Sequence, residues 1–370
     1  MHIPALDGVR GVAILAVFAL HYGGGRQSSN MFVHTIGLAV QAGWSGVTLF
    51  FILSGFLITG ILWNSKGNPG WWKNFYIRRL LRIAPLYYLA LLIVICGAFW
   101  AGNGHFALAH IWVYALYLQN IPPWSRGTTN YGSPFLLSHF WSLAVEEQFY
   151  LLWPLLVRRA RTIRQVEVLC ALLFVGSLLF RLYGIREGMP PGTLVDLLPA
   201  RMGELALGGF LAMAYMEDWW SILERMAMWV APVSLVAFAL LGVAQRDAGL
   251  TSPSEAFSGV ALASLFWGSF VVLALGEGYV SRTMSMRWLG WVGSISYGIY
   301  VYHVLLAGVF AQAAARIVLQ PHSSAAAAVR AALAIAVVFP LSWASYRFFE
   351  LPIMRLRRSP TKRPIMNRAS

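Results

Sequence analysis

Ionisable side chains set within apolar stretches mark where this sequence could do chemistry, because each is costly there without a partner or a task. Asp7, Arg10 and His21 share one such stretch, LDGVRGVAILAVFALHY. At 3.6 residues per turn, the step from Arg10 to His21 is about three turns, so both lie on one helix face roughly 16 Å apart, with Asp7 near the same stripe. A histidine there suits general base work, since its ordinary pKa lies near operating pH and it can accept a proton and return it. Arg10 would then fix an anion or the partner of the base. Spacing alone equally allows an arginine that snorkels to the headgroups and a histidine bonded between helices.

A second stretch, HFWSLAVEEQFYLLWP, sets Glu146 beside Glu147. Neighbouring helix residues point about 100° apart, so the two carboxylates meet different partners, one orienting and one anchoring. A carboxylate in such surroundings must be protonated or paired. Either it holds His21 in one tautomer, or it pairs with Arg201 or Arg10 and locks the bundle. In WWKNFYIRRLLRIAPLYYL, Arg78, Arg79 and Arg82 stand at helical spacing. Arg79 and Arg82, with Pro85 just beyond, offer a fork for phosphate, which guanidinium recognises bidentately. The plainer alternative is the positive charge that flanks cytoplasmic membrane ends. In GVTLFFILSGFLITG, Gly46, Gly55 and Gly60 permit close backbone approach, and Ser54 could donate to a substrate carbonyl or simply pack.

Composition says what must position these groups. Of 370 residues, 58% are hydrophobic and 11% charged, with a mean hydropathy of +0.63, whereas soluble chains average about 25% charged. So few charges cannot coat a globule, and the apolar runs have the length that crosses a hydrocarbon core about 30 Å thick. The expected fold is all-α, a polytopic transmembrane bundle with about ten crossings, over 9–25, 38–62, 84–101, 141–157, 166–182, 196–215, 227–244, 256–275, 291–314 and 326–347. Segment 107–121 is apolar but short and ends at Pro122 and Pro123, which leaves it re-entrant, interfacial or another crossing. The first run lacks a basic leader and a small-residue cleavage site, so it reads as a retained helix. One membrane domain is expected over 1–350, followed by a basic cytoplasmic tail over 351–370.

Lys and Arg sort the loops. The 66–82 and 158–164 segments, Arg225, Arg282, Arg287 and the 347–368 tail hold nineteen cations, against seven on the opposite side, which puts both termini in the cytoplasm. The net charge of +14 therefore fits anionic cytoplasmic lipid and not nucleic acid. Cys96 and Cys170 fall inside expected crossings without metal-ligand spacing, so neither a disulfide nor a metal site is expected.

Taken together and in this order, LDGVRGVAILAVFALHY, LFFILSGFLIT, FYIRRLLRIAPLYYL, FWSLAVEEQFYLLWP, ISYGIYVYHVLL at 295–306 and SYRFFELP at 345–352 resemble the acyltransferase family 3 proteins. These membrane O-acyltransferases decorate bacterial polysaccharides, lipopolysaccharides and some macrolides. The resemblance implies that His21 is the catalytic histidine, with Arg10 as its essential partner and Glu146 beside them. It makes Arg78, Arg79 and Arg82 the donor-binding set, the last two engaging acyl-CoA at the cytoplasmic face. Asp7, Ser54, Glu147, Arg201, Tyr297 and His303 fall to the substrate pocket, while Glu350 ties the last helix to a neighbour. The expected reaction carries an acetyl or other short acyl group from acyl-CoA, with no bound cofactor, to a hydroxyl of a cell-surface glycan or glycolipid. An acyl-histidine relay is an open variant. The alternatives are acylation of a small molecule such as a macrolide sugar, and a transporter or flippase of lipid-linked sugars. Many members continue into a soluble hydrolase-like domain; here a short basic tail stands in that place, so the expectation is direct delivery to the acceptor, or hand-over to a separate protein that receives the group. The expected location is the inner (cytoplasmic) membrane, multi-pass.

Overall fold

The computed structural model describes residues 3–23, 31–122, 133–318 and 323–356. All regular structure among them is helical, with no strand. Helix α1 (Pro4–Tyr22) opens with proline at its first position, where the missing N–H has no partner to lose. After α2 (Met31–Gln41) and a tight turn at Ala42–Trp44 come α3 (Ser45–Ser65) and α4 (Trp71–Trp100). The expected crossing at 84–101 is longer than its apolar run. It starts at Trp71, takes up the arginine cluster and accommodates Pro85 inside.

Segment 107–121 does not cross as one helix. It breaks into α5 (Gly104–His110) and α6 (Trp112–Ala115), which lie against α4, where the Tyr87 hydroxyl donates to the Tyr114 carbonyl at 2.7 Å. Beyond it come α7 (Trp141–Arg159), α8 (Ile163–Arg186), the short α9 (Pro191–Val195) and α10 (Leu198–Ala214). They are followed by α11 (Trp220–Gln245) and α12 (Val260–Leu275). The expected crossing at 291–314 is interrupted. Helices α13 (Tyr279–Met284) and α14 (Arg287–Ser294) precede α15 (Ser296–Leu305), which bends by 55° into α16 (Ala307–Ile317). Helix α17 (Ser324–Ser345) continues through a wide turn at Tyr346–Glu350 into α18 (Leu351–Arg355), so helix runs past the expected domain edge at 350. Arg26, Arg126 and the tail from 357 onward lie outside the described residues.

Seven helices among the described residues are long and apolar enough to cross a membrane, and the bent α15–α16 pair is an eighth if taken as one span. The expected crossings at 141–157 and 196–215 appear as α7 and α10, but neither reaches that standard. Helix α7 carries Glu146 and Glu147, which turn to Arg79 on α4 instead of lipid, and α10 is only 17 residues long, with Arg201 and Glu204 buried against α8.

Helix α10 packs between α3 and α8, and glycine sets how closely. A Cβ on Gly55 would sit 1.8 Å from the Leu205 carbonyl oxygen, and one on Gly208 would sit 2.0 Å from that of Ile52. The two backbones touch reciprocally, as small residues allow in membranes. Gly55→Ala is therefore expected to lower the thermal unfolding midpoint of the purified protein, at a cost of about 1–3 kcal/mol or more. Gly290→Ala, where nothing lies within 4 Å, should leave it unchanged. Equal midpoints for the two variants would mean the α3–α10 contact yields without cost.

Candidate active site

A cavity of about 960 Å³ runs along α3, from the exposed Asn64 and Asn68 at one end to Val47 and Phe50 at the other. Its remaining walls come from the first half of α1, from Arg78 to Ile83 of α4, the start of α7, and Ser296, Tyr297 and Tyr300 of α15. Asp7, Arg10, Ser54, Arg78, Arg79, Arg82, Glu146 and Tyr297 all face it. Tyr297 also donates to the Ile83 carbonyl at 2.7 Å, which fastens α15 to α4.

The charges in this wall are sorted into spent and unspent. Arg10 donates to Asp7 at 2.7 Å, one helical turn away. Arg79 Nη2 donates to Glu146 Oε2 at 2.9 Å and Nε to Glu147 Oε1 at 3.4 Å, while its guanidinium lies 3.6 Å over the Tyr150 ring. Glu146 also accepts from Ser54 Oγ at 2.8 Å. The adjacent carboxylates thus meet the same arginine through different nitrogens. Arg78 and Arg82 make no ion pair or hydrogen bond among the described residues, and both are solvent-accessible. Arg82 is exposed and lines the cavity. Of the expected Arg79–Arg82 fork, Arg79 is held by two carboxylates, while Arg82, like Arg78, makes no ion pair among the described residues.

His21 stands apart from these groups. It sits in the last turn of α1, exposed, about three turns from Arg10, and it does not line the cavity. Its Nδ1 lies 2.9 Å from the Val17 carbonyl. A carbonyl can only accept, so Nδ1 carries a proton, and in the neutral ring Nε2 is then the basic nitrogen. That tautomer is set by the helix backbone and not by Glu146, whose oxygens go to Arg79 and Ser54.

Two further imidazoles extend the site. The His21 and His303 rings meet edge to face with centroids 4.8 Å apart, and His303 meets His139 in the same manner at 5.2 Å. Both His303 and His139 are buried. His303 Nδ1 donates to the carbonyls of Ile299 and Tyr300 at 2.9 and 2.7 Å, and its Nε2 has no partner among the described residues. The Tyr22 hydroxyl donates to the His303 carbonyl and ties α1 to α15. Tyr300 joins this row to the cavity. Its ring lies 5.0 Å from His139 and 5.8 Å from His303, and its hydroxyl bonds Ser142 Oγ at 2.6 Å and the His139 carbonyl. Sequence reasoning did not single out His139, Ser142 or Tyr300. The first two open the same HFWS segment as the glutamates, but a histidine ahead of a helix start carries no periodic signal. No group of three His, Cys, Asp or Glu among the described residues is arranged to hold a metal ion.

Of the expected pocket residues, Glu147, His303 and Arg201 do not line the cavity. Arg201 is fully buried with Arg181 around Glu204, at 3.7 and 3.6 Å, and its guanidinium lies 5.3 Å from the Phe51 ring centre. It neither lines the cavity nor meets Glu146 or Glu147. It neutralises a carboxylate in its own helix, and the Arg181–Glu204 pair joins α8 to α10. Glu350 is buried and accepts from Ser345 at 3.0 Å within its own segment.

The family profile described as an acyltransferase domain matches residues 3–347. The chain belongs to the acyltransferase 3 family. Among curated relatives, the peptidoglycan O-acetyltransferase OatA of Listeria monocytogenes is 26% identical over 96% of this chain and 56% of its own length. The putative peptidoglycan O-acetyltransferase YrhL of Bacillus subtilis is 26% identical over 82% of this chain and 48% of its own. A putative O-acetyltransferase of Staphylococcus aureus is 30% identical over 42% of this chain and 25% of its own. This acyltransferase 3 chain thus spans about half the length, or less, of these relatives. No solved structure matches it.

Proposed function

We propose that the chain is a membrane O-acyltransferase that moves an acetyl or similar short acyl group from acyl-CoA to a sugar hydroxyl of a cell-wall glycan. The observation that carries this reading is the cavity with two unspent arginines, Arg78 and Arg82, in its wall, leading toward a row of imidazoles. Charge-assisted bonds from guanidinium to phosphate suit the anionic part of the donor. The thioester end would extend toward α15. His21, with Nδ1 protonated, has Nε2 to take the acceptor hydroxyl proton. The alkoxide then attacks the thioester carbonyl, the C–S bond breaks, and the imidazolium returns its proton to the departing thiolate. Peptidoglycan is favoured as acceptor by the names of the two longest-matching relatives.

The arrangement answers a physical problem. The donor is too charged to enter hydrocarbon, while a cell-wall acceptor lies beyond the membrane. A cavity open on one side and a histidine about three helical turns away span that gap. The cation bias supports a cytoplasmic side for Asn64, Asn68 and both termini, with the chain in a cell inner membrane. Purified full chain in nanodiscs, given radiolabelled acetyl-CoA and glycan fragments, is expected to transfer label to the glycan. A transporter or flippase would consume no donor, and absence of acetyl-CoA consumption with peptidoglycan fragments would overturn the reading.

A further inference from the structure

The cavity and the imidazole row touch but do not join. The cavity wall includes Ser142 and Tyr300, and none of His21, His139 or His303. Tyr300 contributes to both sides of that boundary. Its ring packs on His139 and His303, while its hydroxyl is held by Ser142 Oγ at 2.6 Å and donates to the carbonyl of His139. The hydrogen bookkeeping is fixed, because a carbonyl only accepts. The phenol proton goes to His139, so the Tyr300 oxygen must accept from Ser142. Both partners belong to the segment that enters α7, whereas Tyr300 belongs to α15. The partition is thus a clasp between two elements. One of them, α15, is a ten-residue helix that ends one turn later in a 55° bend.

We infer that Tyr300 is the gate between the donor cavity and the histidines, held shut by Ser142 and the His139 carbonyl, and that it turns aside to admit the acyl end of the donor. The assignment of the cavity to the donor rests on the function proposed above; the gate itself rests on the geometry. A closed gate has a chemical purpose. Water that reached the thioester from the histidine side would cleave it to the free acid and CoA thiol, so a phenol ring that yields only to a seated donor limits that loss. Tyr300 is in this sense a positioning residue, since it does not itself take or give the acyl group.

The test reads passage directly and does not require the donor to be known. In sealed membranes, His21→Cys full chain is treated with a charged, membrane-impermeant thiol reagent from the face bearing Asn64 and Asn68, and modification at position 21 is read by peptide mass. With Tyr300 in place, labelling is expected to be slow. Tyr300→Phe keeps the ring but loses both bonds, and labelling should quicken on the order of ten- to a hundredfold. Ser142→Ala removes one bond without touching the ring and should fall between. With His21 intact, the same two variants should raise acetyl-CoA hydrolysis in the absence of glycan relative to transfer in its presence, a split that simple loss of packing does not produce. Labelling indifferent to both variants, in protein of unchanged thermal midpoint, would overturn the gate. Should labelling follow Tyr300 while the unmodified protein consumes no acyl-CoA, the gate stands and the donor assignment falls.

Discussion

His21→Ala is expected to abolish acyl transfer while leaving the chain folded in the membrane, and His21→Gln to do the same. General base work contributes roughly 10²- to 10⁴-fold in rate, and loss of a covalent relay would cost more. The glutamine variant separates chemistry from packing. It can still donate to the Val17 carbonyl, where Nδ1 now sits at 2.9 Å, but it cannot take a proton at neutral pH. His21 is exposed, so its replacement opens no large cavity. A fall in turnover of a hundredfold or more in both variants, with the thermal midpoint held, is the result the mechanism requires. Near-normal turnover in His21→Gln would reduce the residue to a spacer against His303 and sink the mechanism, even with family membership intact.

How far the site could be read from the sequence depended on whether the signal was local. The stripe from Asp7 through Arg10 to His21 lies in one helix, and helical periodicity found it. The apolar runs at 141–157 and 196–215 were local too, and they appear within a few residues as α7 and α10. Partner choice was not local. Glu146 faces Arg79 and not His21, Arg10 or Arg201, since the azimuth of α7 against α4 depends on packing among many helices. Arg79 and Arg82 are three apart and looked equivalent, yet one is spent on two carboxylates and the other opens to the cavity. The start of α4 at Trp71 was hidden for the same reason. Its arginines read as loop charge, whereas the helix carries all three, Arg79 paired with Glu146 and Glu147 and Arg82 turned to the cavity. Arg201 likewise looked like a substrate residue, because Glu204, one turn ahead and Arg181 from α8 were not weighed as its partners.

That division between neighbouring arginines yields the second large effect. Arg82→Ala is expected to raise the KM for acyl-CoA with little change in thermal midpoint. A lost phosphate contact costs on the order of 1.5–3 kcal/mol, about ten- to a hundredfold in affinity. Lys at position 82 should restore only part, because an ammonium lacks the planar fork. Arg79→Ala should behave in the opposite way. It strands Glu146 and Glu147, whose side chains are only 12% and 23% exposed, without their common cation. Removing one partner of a fully buried pair costs about 3–5 kcal/mol, so a loss of roughly 2–4 kcal/mol in stability is expected at this partly screened site. Adding Glu146→Gln to Arg79→Ala should recover part of that loss, since the amide needs no counter-charge and can still accept from Ser54. The two variants therefore exchange readouts, affinity for one and stability for the other. If instead Arg79→Ala leaves the midpoint alone and raises the KM as Arg82→Ala does, the Arg79–Glu146 pair opens for the donor, and the carboxylates serve as a latch that phosphate displaces.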